Sequence, residues 1–369
     1  MQKNSTMNIC IVAGARPNFI KVAPIIRAIN KAANEGRDIT YQLVYAGRED
    51  DPTLENSLFD DLQMPRPDTY LGVDCDNLNE LTGCVMAGFE HYLQSHPTDV
   101  VIVVDDLAST LAAAIVTKKQ GITLAHLVAG TRSFDINMPK EINRLVIDGL
   151  SDLLFTAGMK SNSTATREGA EQSKIYLVGN ILMDTLRYNR NRLQRPTILS
   201  QLNIEDGSYL VFTLNRKALL SNEQLLRSLL RVIGDRSGGR KIIAPLRGRA
   251  AQVVRRLIGN DYPAFQLIEP LTYLQFGYLT AHACGIITDS GNVAEEATFH
   301  GVPCITLNRY TEHIETVKEG SNVLVGEDTT LLAQAMDQMV AGEWKKSSIP
   351  DRWDGRSAER IVQILLEHK

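Results

Sequence analysis

Ala283-Cys284-Gly285-Ile286-Ile287-Thr288-Asp289-Ser290-Gly291-Asn292-Val293-Ala294-Glu295-Glu296-Ala297 is the stretch around which the rest of the chain is organised. Its first five residues are short, apolar and partly β-branched, as a buried parallel strand requires. From Val293 to His300 the pattern turns helical, with Ser290 or Asn292 placed to cap the first turn. A strand, a glycine-containing turn and a helix N-terminus together form an anion site, because free backbone N–H groups and the positive dipole end face outward. Glu296 falls about one turn in, where a carboxylate can accept two hydrogen bonds from a ribose diol. The same residues also fit a plain βα unit whose first-turn glutamates complement the helix dipole, since such turns serve many α/β proteins.

Working outward, strand-like runs at 209–213, 241–244, 265–268, 284–288 and 303–306 alternate with helical segments, and a last helix is expected over 356–367. The first half repeats the alternation. Strands are expected at 7–13, 40–46, 99–104, 123–128, 152–156 and 174–178, and helices at 18–34, 77–95, 108–119 and 141–150. Pro24 inside the first helix is expected to kink it. Residues 48–76 are polar and irregular. The fold class expected is α/β, with two Rossmann-like doubly wound domains facing a cleft, spanning 1–187 and 209–352, joined by a polar linker at 188–208.

Composition narrows the function classes. The chain has 369 residues, 44% hydrophobic and 22% charged, which suits two soluble domains. A net charge of −4 gives no electrostatic reason to expect nucleic acid or an anionic membrane as partner. No apolar run approaches the length of a membrane helix, and the polar lead-in at 1–6 lacks a signal-peptide core. Five cysteines (Cys10, Cys75, Cys84, Cys284, Cys304) show no metal spacing. Cys10, Cys284 and Cys304 lie in apolar runs as small core residues, and the odd count points to reduced thiols and a cytoplasmic setting.

Four more strand ends carry polar residues. Gly14-Ala15-Arg16-Pro17 presents Arg16, with Lys21 a turn into the following helix. Asp105-Asp106 ends another strand. His126 to Ser133 ends the next, with Arg132, and Met138 to Arg144 opens a helix carrying Glu141. Thr213-Leu214-Asn215-Arg216-Lys217 ends the first strand of the second half. Singly, each is as well explained by capping or by a strand flank. Together, with several arginines on carboxyl edges, they suit an anionic ligand such as a nucleotide diphosphate.

These runs resemble the non-hydrolysing UDP-N-acetylglucosamine 2-epimerases over the whole chain. The matching runs are Gly14 to Lys21, Ala129-Gly130-Thr131-Arg132-Ser133, Pro139 to Arg144, Val178-Gly179-Asn180, and Thr288-Asp289-Ser290-Gly291 with Glu295-Glu296-Ala297. Thr311 to Val317 and Asn322 to Gly326 follow in order. The resemblance implies the two-domain arrangement of many nucleotide-sugar glycosyltransferases, UDP or a UDP-N-acetylhexosamine as ligand in the cleft, and a last helix (353–369) crossing back to the first domain. It also implies a homodimer, a place in polysaccharide biosynthesis, and a reaction with no cofactor and no metal. In that reaction the C2 proton is removed, UDP departs to leave a 2-acetamidoglucal, and UDP adds back to give the C2 epimer. By position, Arg16, Lys21, Arg216, Phe276, Ser290, Gly291, Glu296 and His313 match UDP-binding places. Asp106, Glu141, Arg132 and Arg144 match places around the sugar and the acid/base set.

The departures fall on proton transfer. Where the family has Glu in its His-Val-Glu-Ala-Gly-Leu-Arg run, this chain has Val128. Lys140 replaces the first Glu of Pro-Glu-Glu-x-Asn-Arg, and Asn215 replaces the His of Thr-x-His-Arg. His313 stands in place of an Arg. Tyr45-Ala46-Gly47-Arg48-Glu49 replaces His-Thr-Gly-Gln-His, which argues against the second, regulatory UDP-sugar site of some members. Val128 carries no proton, Asn215 is no base, and Lys140 lowers the pKa of a neighbouring carboxylate. Each lost acid/base group costs about 10²–10⁴ in rate. Two readings follow: a catalytically silent or altered member that still binds UDP or a UDP-sugar, or a working epimerase that uses Asp106 with Glu141 or Asp135. A third, glycosyl transfer or hydrolysis, rests on fold analogy alone.

Overall fold

The computed structural model describes residues 6–259 and 261–368. The chain divides into two units, one running to Tyr188 and resuming at Asp351, the other Asn189–Pro350. Each is a parallel sheet with helices in the connections.

In the first unit seven strands, β1 (Met7–Ala13), β2 (Ile39–Tyr45), β3 (Thr69–Tyr70), β4 (Val100–Val104), β5 (Thr123–Ala129), β6 (Leu153–Thr156) and β7 (Ile175–Leu177), take the order β3-β2-β1-β4-β5-β6-β7. β4 is buried along its whole length between β1 and β5, which explains its unbroken Val/Ile run. The order reverses between β1 and β4, so their carboxyl ends, Gly14 and Asp105, meet at the switch point where such sheets hold ligands.

In the second unit β8 (Leu210–Phe212), β9 (Ile242–Pro245), β10 (Phe265–Ile268), β11 (Gly285–Thr288), β12 (Cys304–Thr306) and β13 (Asn322–Leu324) are ordered β10-β9-β8-β11-β12-β13. The switch point lies between β8 and β11, so the quoted stretch sits at the centre of its sheet. One core cluster, with Phe212, Leu226, Leu230, Ile287 and Met336, packs on one side, and another, with Tyr209, Val211, Ile286 and Ala297, on the other.

Several details depart from expectation for local reasons. The irregular stretch 48–76 contains the helix Asn56–Leu62 and strand β3. The helix is short and stops at Gln63 in the left-handed region (φ 49°), and β3 exists only through its pairing with β2. Neither announces itself by periodicity. Pro24 lies within a helix that runs from Arg16 to Asn34. The carbonyl that its missing N–H would have served, that of Ile20, instead accepts the Thr185 hydroxyl at 2.6 Å. The segment 188–208 includes the helix Thr197–Gln201, whose Leu199 is buried.

The helix Ser357–Glu367 packs on Arg16–Asn34. Asp184 accepts the backbone N–H groups of Ser357 (3.1 Å) and Ala358 (2.8 Å), and buried Trp353 donates Nε1–H to the Ala157 carbonyl at 3.1 Å. A carboxylate at a helix start satisfies donors that the helix itself leaves unpaired.

Candidate functional site

At the β8/β11 switch point the hydroxyls of Thr213 and Thr288 lie 2.6 Å apart. Beyond them, Asp289 Oδ2 accepts the backbone N–H of Asn215 (2.8 Å) and of Arg216 (2.6 Å), and its carbonyl accepts Asn308 Nδ2–H at 2.9 Å. Asp289 therefore stitches the two strand ends together. Arg216, a sequence-predicted site residue, donates through Nη1 to Asn308 Oδ1 (3.0 Å) and through Nη2 to Glu327 Oε1 (2.7 Å). Asn215 is exposed beside it.

Ser290 caps the helix Gly291–His300. A side chain at Gly291 would meet nothing within 4 Å, so neither packing nor backbone conformation of the chain itself calls for glycine there. Glu296 is buried on this helix; burial, and then the neighbouring Glu295, push its carboxyl up to about 8. His313 is also buried, with Nε2 3.7 Å from Glu295 Oε1. Phe276, on the helix Tyr273–Ala281, is half-buried against the second core cluster. Thus Ser290, Gly291 and Arg216 fall at the carboxyl edge of one sheet, Glu296 on a helix that leaves it, and His313 on the connection between β12 and the helix Glu315–Lys318.

In the first unit Gly14 is required by close approach: a Cβ there would lie 1.9 Å from Ser109 Oγ. Arg16 begins the following helix, and Asn18 ties the turn by accepting Gly14 N–H (2.9 Å) and donating to Asp105 Oδ2 (2.9 Å). Lys21 Nζ lies 2.6 Å from Asp105 Oδ1, nearly buried, bridging the switch point. The structure gives this lysine a role within the protein that spacing alone did not suggest.

Asp106 and Glu141 are both engaged. Asp106 Oδ2 accepts Arg144 Nε–H at 2.8 Å, and Lys140 Nζ lies 3.2 Å from Oδ1. Burial pushes the Asp106 carboxyl up, but Lys140 and Arg144 outweigh it and hold the group below the usual carboxylate value. Glu141 accepts Ser133 N–H (2.9 Å), Ser133 Oγ–H (3.0 Å), Phe134 N–H (2.8 Å) and Arg144 Nη1–H (3.0 Å). Burial raises its pKa, yet these donors lower it by more. Arg132 pairs with Asp148 (2.8 Å) and with Glu168. Asp135 is exposed on the same loop.

Val128 lies at a bulge where the β5/β6 register shifts, with φ of 71°. A β-branched residue in the left-handed region is strained, and bulges of this kind re-aim a side chain at a strand end.

The network around Asp148 escaped the sequence reading. Asp148 accepts from His126 Nδ1 (2.6 Å) and Gly130 N–H (3.0 Å), while His126 Nε2 lies 2.9 Å from the Asp105 carbonyl. The signal was present in spacing: positions 141, 144 and 148 share one helix face, and that face is buried. The apolar residues Ile142, Leu145 and Val146 point outward instead and are exposed, as are Phe134 and Ile136 nearby. The helix Pro139–Leu150 is amphipathic with its polar face inward.

A cavity of about 460 Å³ in this unit is lined by Gly14, Tyr45, Gly47, Arg48, Val73 and Cys75 among others. Several of its polar side chains are paired with one another. Tyr45 donates to Asp51 at 2.6 Å, and Arg48 is held by Asp50 and Asp74. Among the described residues no cluster of His, Cys, Asp or Glu is arranged to hold a metal ion, and no helix is long and apolar enough to cross a membrane.

Two parallel sheets that each reverse strand order beside a polar carboxyl edge make this an α/β protein of two Rossmann-like units, the fold of the two-domain epimerases. Residues 31–366 match the family model described as UDP-N-acetylglucosamine 2-epimerase. A UDP-N-acetylglucosamine 2-epimerase of Methanocaldococcus jannaschii is 34% identical, with 98% of this chain and 100% of that protein covered. A solved structure of the M. jannaschii UDP-GlcNAc 2-epimerase in complex with UDP-GlcNAc and UDP is similar at a TM-score of 0.85 and 33% identity, over 98% of this chain and 100% of that one. A UDP-2,3-diacetamido-2,3-dideoxy-D-glucuronate 2-epimerase of Pseudomonas aeruginosa is 31% identical over 98% of this chain and 100% of its own length. This chain belongs to the UDP-N-acetylglucosamine 2-epimerase family.

Proposed function

We propose that this protein binds UDP or a UDP-N-acetylhexosamine through the second unit and that its epimerase chemistry is lost or altered. The observation that carries this reading is the state of the remaining carboxylates. Asp106 is neutralised by Lys140 and Arg144, and Glu141 spends its oxygens on Ser133, Phe134 and Arg144. A carboxylate held below its ordinary pKa is a weak base for a sugar C2–H, and Val128 and Asn215 cannot replace it. The bulge at Val128 supports the same view: its backbone is strained for valine, in a conformation suited to aiming a functional side chain from the strand end.

The nucleotide side reads differently. Capped by Ser290, the helix at Gly291 leaves open space and free N–H groups for a diphosphate. Glu296, with its carboxyl raised to about 8, gains most from a ligand that donates two hydroxyls, as a ribose does. Arg216, Phe276 and His313 complete the ligand set of the second unit in this reading, whereas Arg16, Lys21, Arg132 and Arg144 are assigned to the ligand by the family resemblance. Such a protein would serve polysaccharide assembly in the cytoplasm as a binder or regulator. The exposed stripe of Ile142, Leu145 and Val146, with Phe134 and Ile136, supports a homodimer, which sedimentation of the Leu145→Glu variant tests.

The alternative, an active UDP-GlcNAc 2-epimerase, is favoured by relatives that carry that name over their full length. Proton NMR of UDP-N-acetylglucosamine with the protein in D₂O separates the two. Broadened uridine lines with an intact C2 proton are expected. Loss of the C2 signal with a second epimer appearing would establish the active enzyme, and unbroadened lines would reject UDP-sugar binding.

A further inference from the structure

Nine residues apart in sequence and in no recognised motif, Cys75 and Cys84 are brought together by the fold. Their Sγ atoms lie 3.9 Å apart. Cys84 is exposed on the helix Leu78–Ser95, and Cys75 is partly exposed on the segment leading to it. The chain doubles back along this helix. Leu71 Cβ sits 3.7 Å from where a Cβ on Gly88 would be, one turn beyond Cys84, so 71–75 runs alongside the helix and sets the two sulfurs side by side. Asn77 fixes the turn by accepting N–H from Asn79 (2.9 Å) and Glu80 (3.1 Å). Both sulfurs are free thiols, while Cys10 and Cys304 are buried in the sheets.

We propose that Cys75 and Cys84 form a reversible thiol–disulfide site that reacts with low-molecular-weight disulfides. The thiolate of Cys84 attacks one sulfur of the small disulfide and expels one small thiolate, leaving a mixed disulfide on Cys84. Cys75 then loses its proton, attacks the Cys84 sulfur and expels the second small thiolate. Two protein thiols are oxidised, one small disulfide is reduced to two thiols, and the two protons end on those thiols. Cys84 is the more exposed of the two and so the one an incoming disulfide reaches, which assigns it the first attack and Cys75 the resolving role.

The bond would pin a wall of the 460 Å³ cavity, since Cys75, Asp74 and Val73 line it together with Leu81 and Val85 of the same helix. Oxidation therefore ties Cys75 covalently to the helix, adding to the backbone hydrogen bonds from Leu71 N–H to the Tyr45 carbonyl (2.8 Å) and from Val73 N–H to the Ala46 carbonyl (3.1 Å) that hold the segment in the reduced chain.

The test treats the full chain with graded ratios of reduced and oxidised glutathione, quenches with acid and maps the peptides by mass. Expected is the loss of two hydrogens from the peptide carrying both Cys75 and Cys84, restored by dithiothreitol, with Cys10, Cys284 and Cys304 remaining thiols. In Cys75→Ser a glutathione adduct should persist on Cys84, and in Cys84→Ser no adduct should form on Cys75 under the same exposure. A stable glutathione adduct on Cys84 of the unaltered chain would overturn the proposal. So would closure only after unfolding in denaturant, or no reaction at either cysteine across the whole range.

Discussion

Lys140 Nζ stands 3.2 Å from Asp106 Oδ1, placing a cation on a buried carboxylate just beyond the carboxyl end of β4. The lysine is more than half exposed, so the pair is screened and worth little to stability, but its effect on the proton affinity of the carboxylate does not need a large energy. Replacing Lys140 by Gln is expected to raise the Asp106 pKa toward its ordinary value, read by carbon NMR of the carboxyl. Because the folded-state value is depressed, the pair stabilises above the unfolded pKa and its contribution disappears as pH falls through the folded value. The variant should be less stable by about 0.5 kcal/mol near neutrality and converge with the parent in acid. Equal Asp106 titration in both proteins would refute this account.

In the proposed complex with UDP, Glu296 would make binding proton-linked. Its carboxyl, raised to about 8, is mostly protonated at neutral pH, and a ribose diol donating to it favours the ionised form. Binding should release up to about one proton per site, and affinity should climb between pH 6 and 8. Calorimetry in buffers of different ionisation enthalpy measures the release, and Glu296→Gln should bind more weakly with a flat pH profile. The sign for stability is opposite to that of Asp106. A raised pKa stabilises below the unfolded value of 4.5, and that contribution is lost as pH rises to about 8, so Glu296→Gln should melt higher at pH 8.

Val128 occupies the left-handed region at φ 71°. Asn adopts that region at lower cost than a β-branched residue, so Val128→Asn should stabilise the protein by about 0.5–1 kcal/mol in denaturant unfolding. A destabilised variant would mean that packing around the half-buried valine outweighs the backbone strain. On the proposed loss of epimerase chemistry, the triple change Val128→Glu, Lys140→Glu, Asn215→His should in turn introduce C2-proton exchange, and exchange already present in the parent would refute that proposal.

Asp184 anchors the last helix through two backbone N–H groups. Asp184→Ala should cost about 1–3 kcal/mol and speed amide exchange over 357–367, because buried donors lose their acceptor. Asp184→Asn keeps an acceptor and avoids the burial that pushes this carboxyl up to about 6, so it should lose far less. Equal exchange rates in the Ala variant and the parent would dismiss the cap.

Much of the fold was legible because parallel strands buried on both faces leave unbroken apolar runs, as at β4 and β11. The helix Asn56–Leu62 and strand β3 were not, since one is too short to show a period and the other exists only by pairing with β2. The candidate site divides in the same way. Ser290, Gly291 and Glu296 belong to one local βα turn, and a turn writes its signature into adjacent residues. Asp148, which holds His126, Gly130 and Arg132, is separated from them by a loop and a helix, so its partners became visible only in three dimensions.

By itself the sequence determined the alternation of strand and helix, the family, and the presence of valine at 128 and asparagine at 215, because each is a property of residue type and order. Only the tertiary structure decided what the surviving charges do. Lys21 bridges to Asp105, Lys140 sits on Asp106, Glu141 closes the 133–134 loop, and Cys75 meets Cys84. The physical reason is range. Strand and helix patterns are set within a few neighbouring residues, whereas a carboxylate's pKa and a thiol's partner depend on atoms a few ångströms away in space that belong to other segments of the chain.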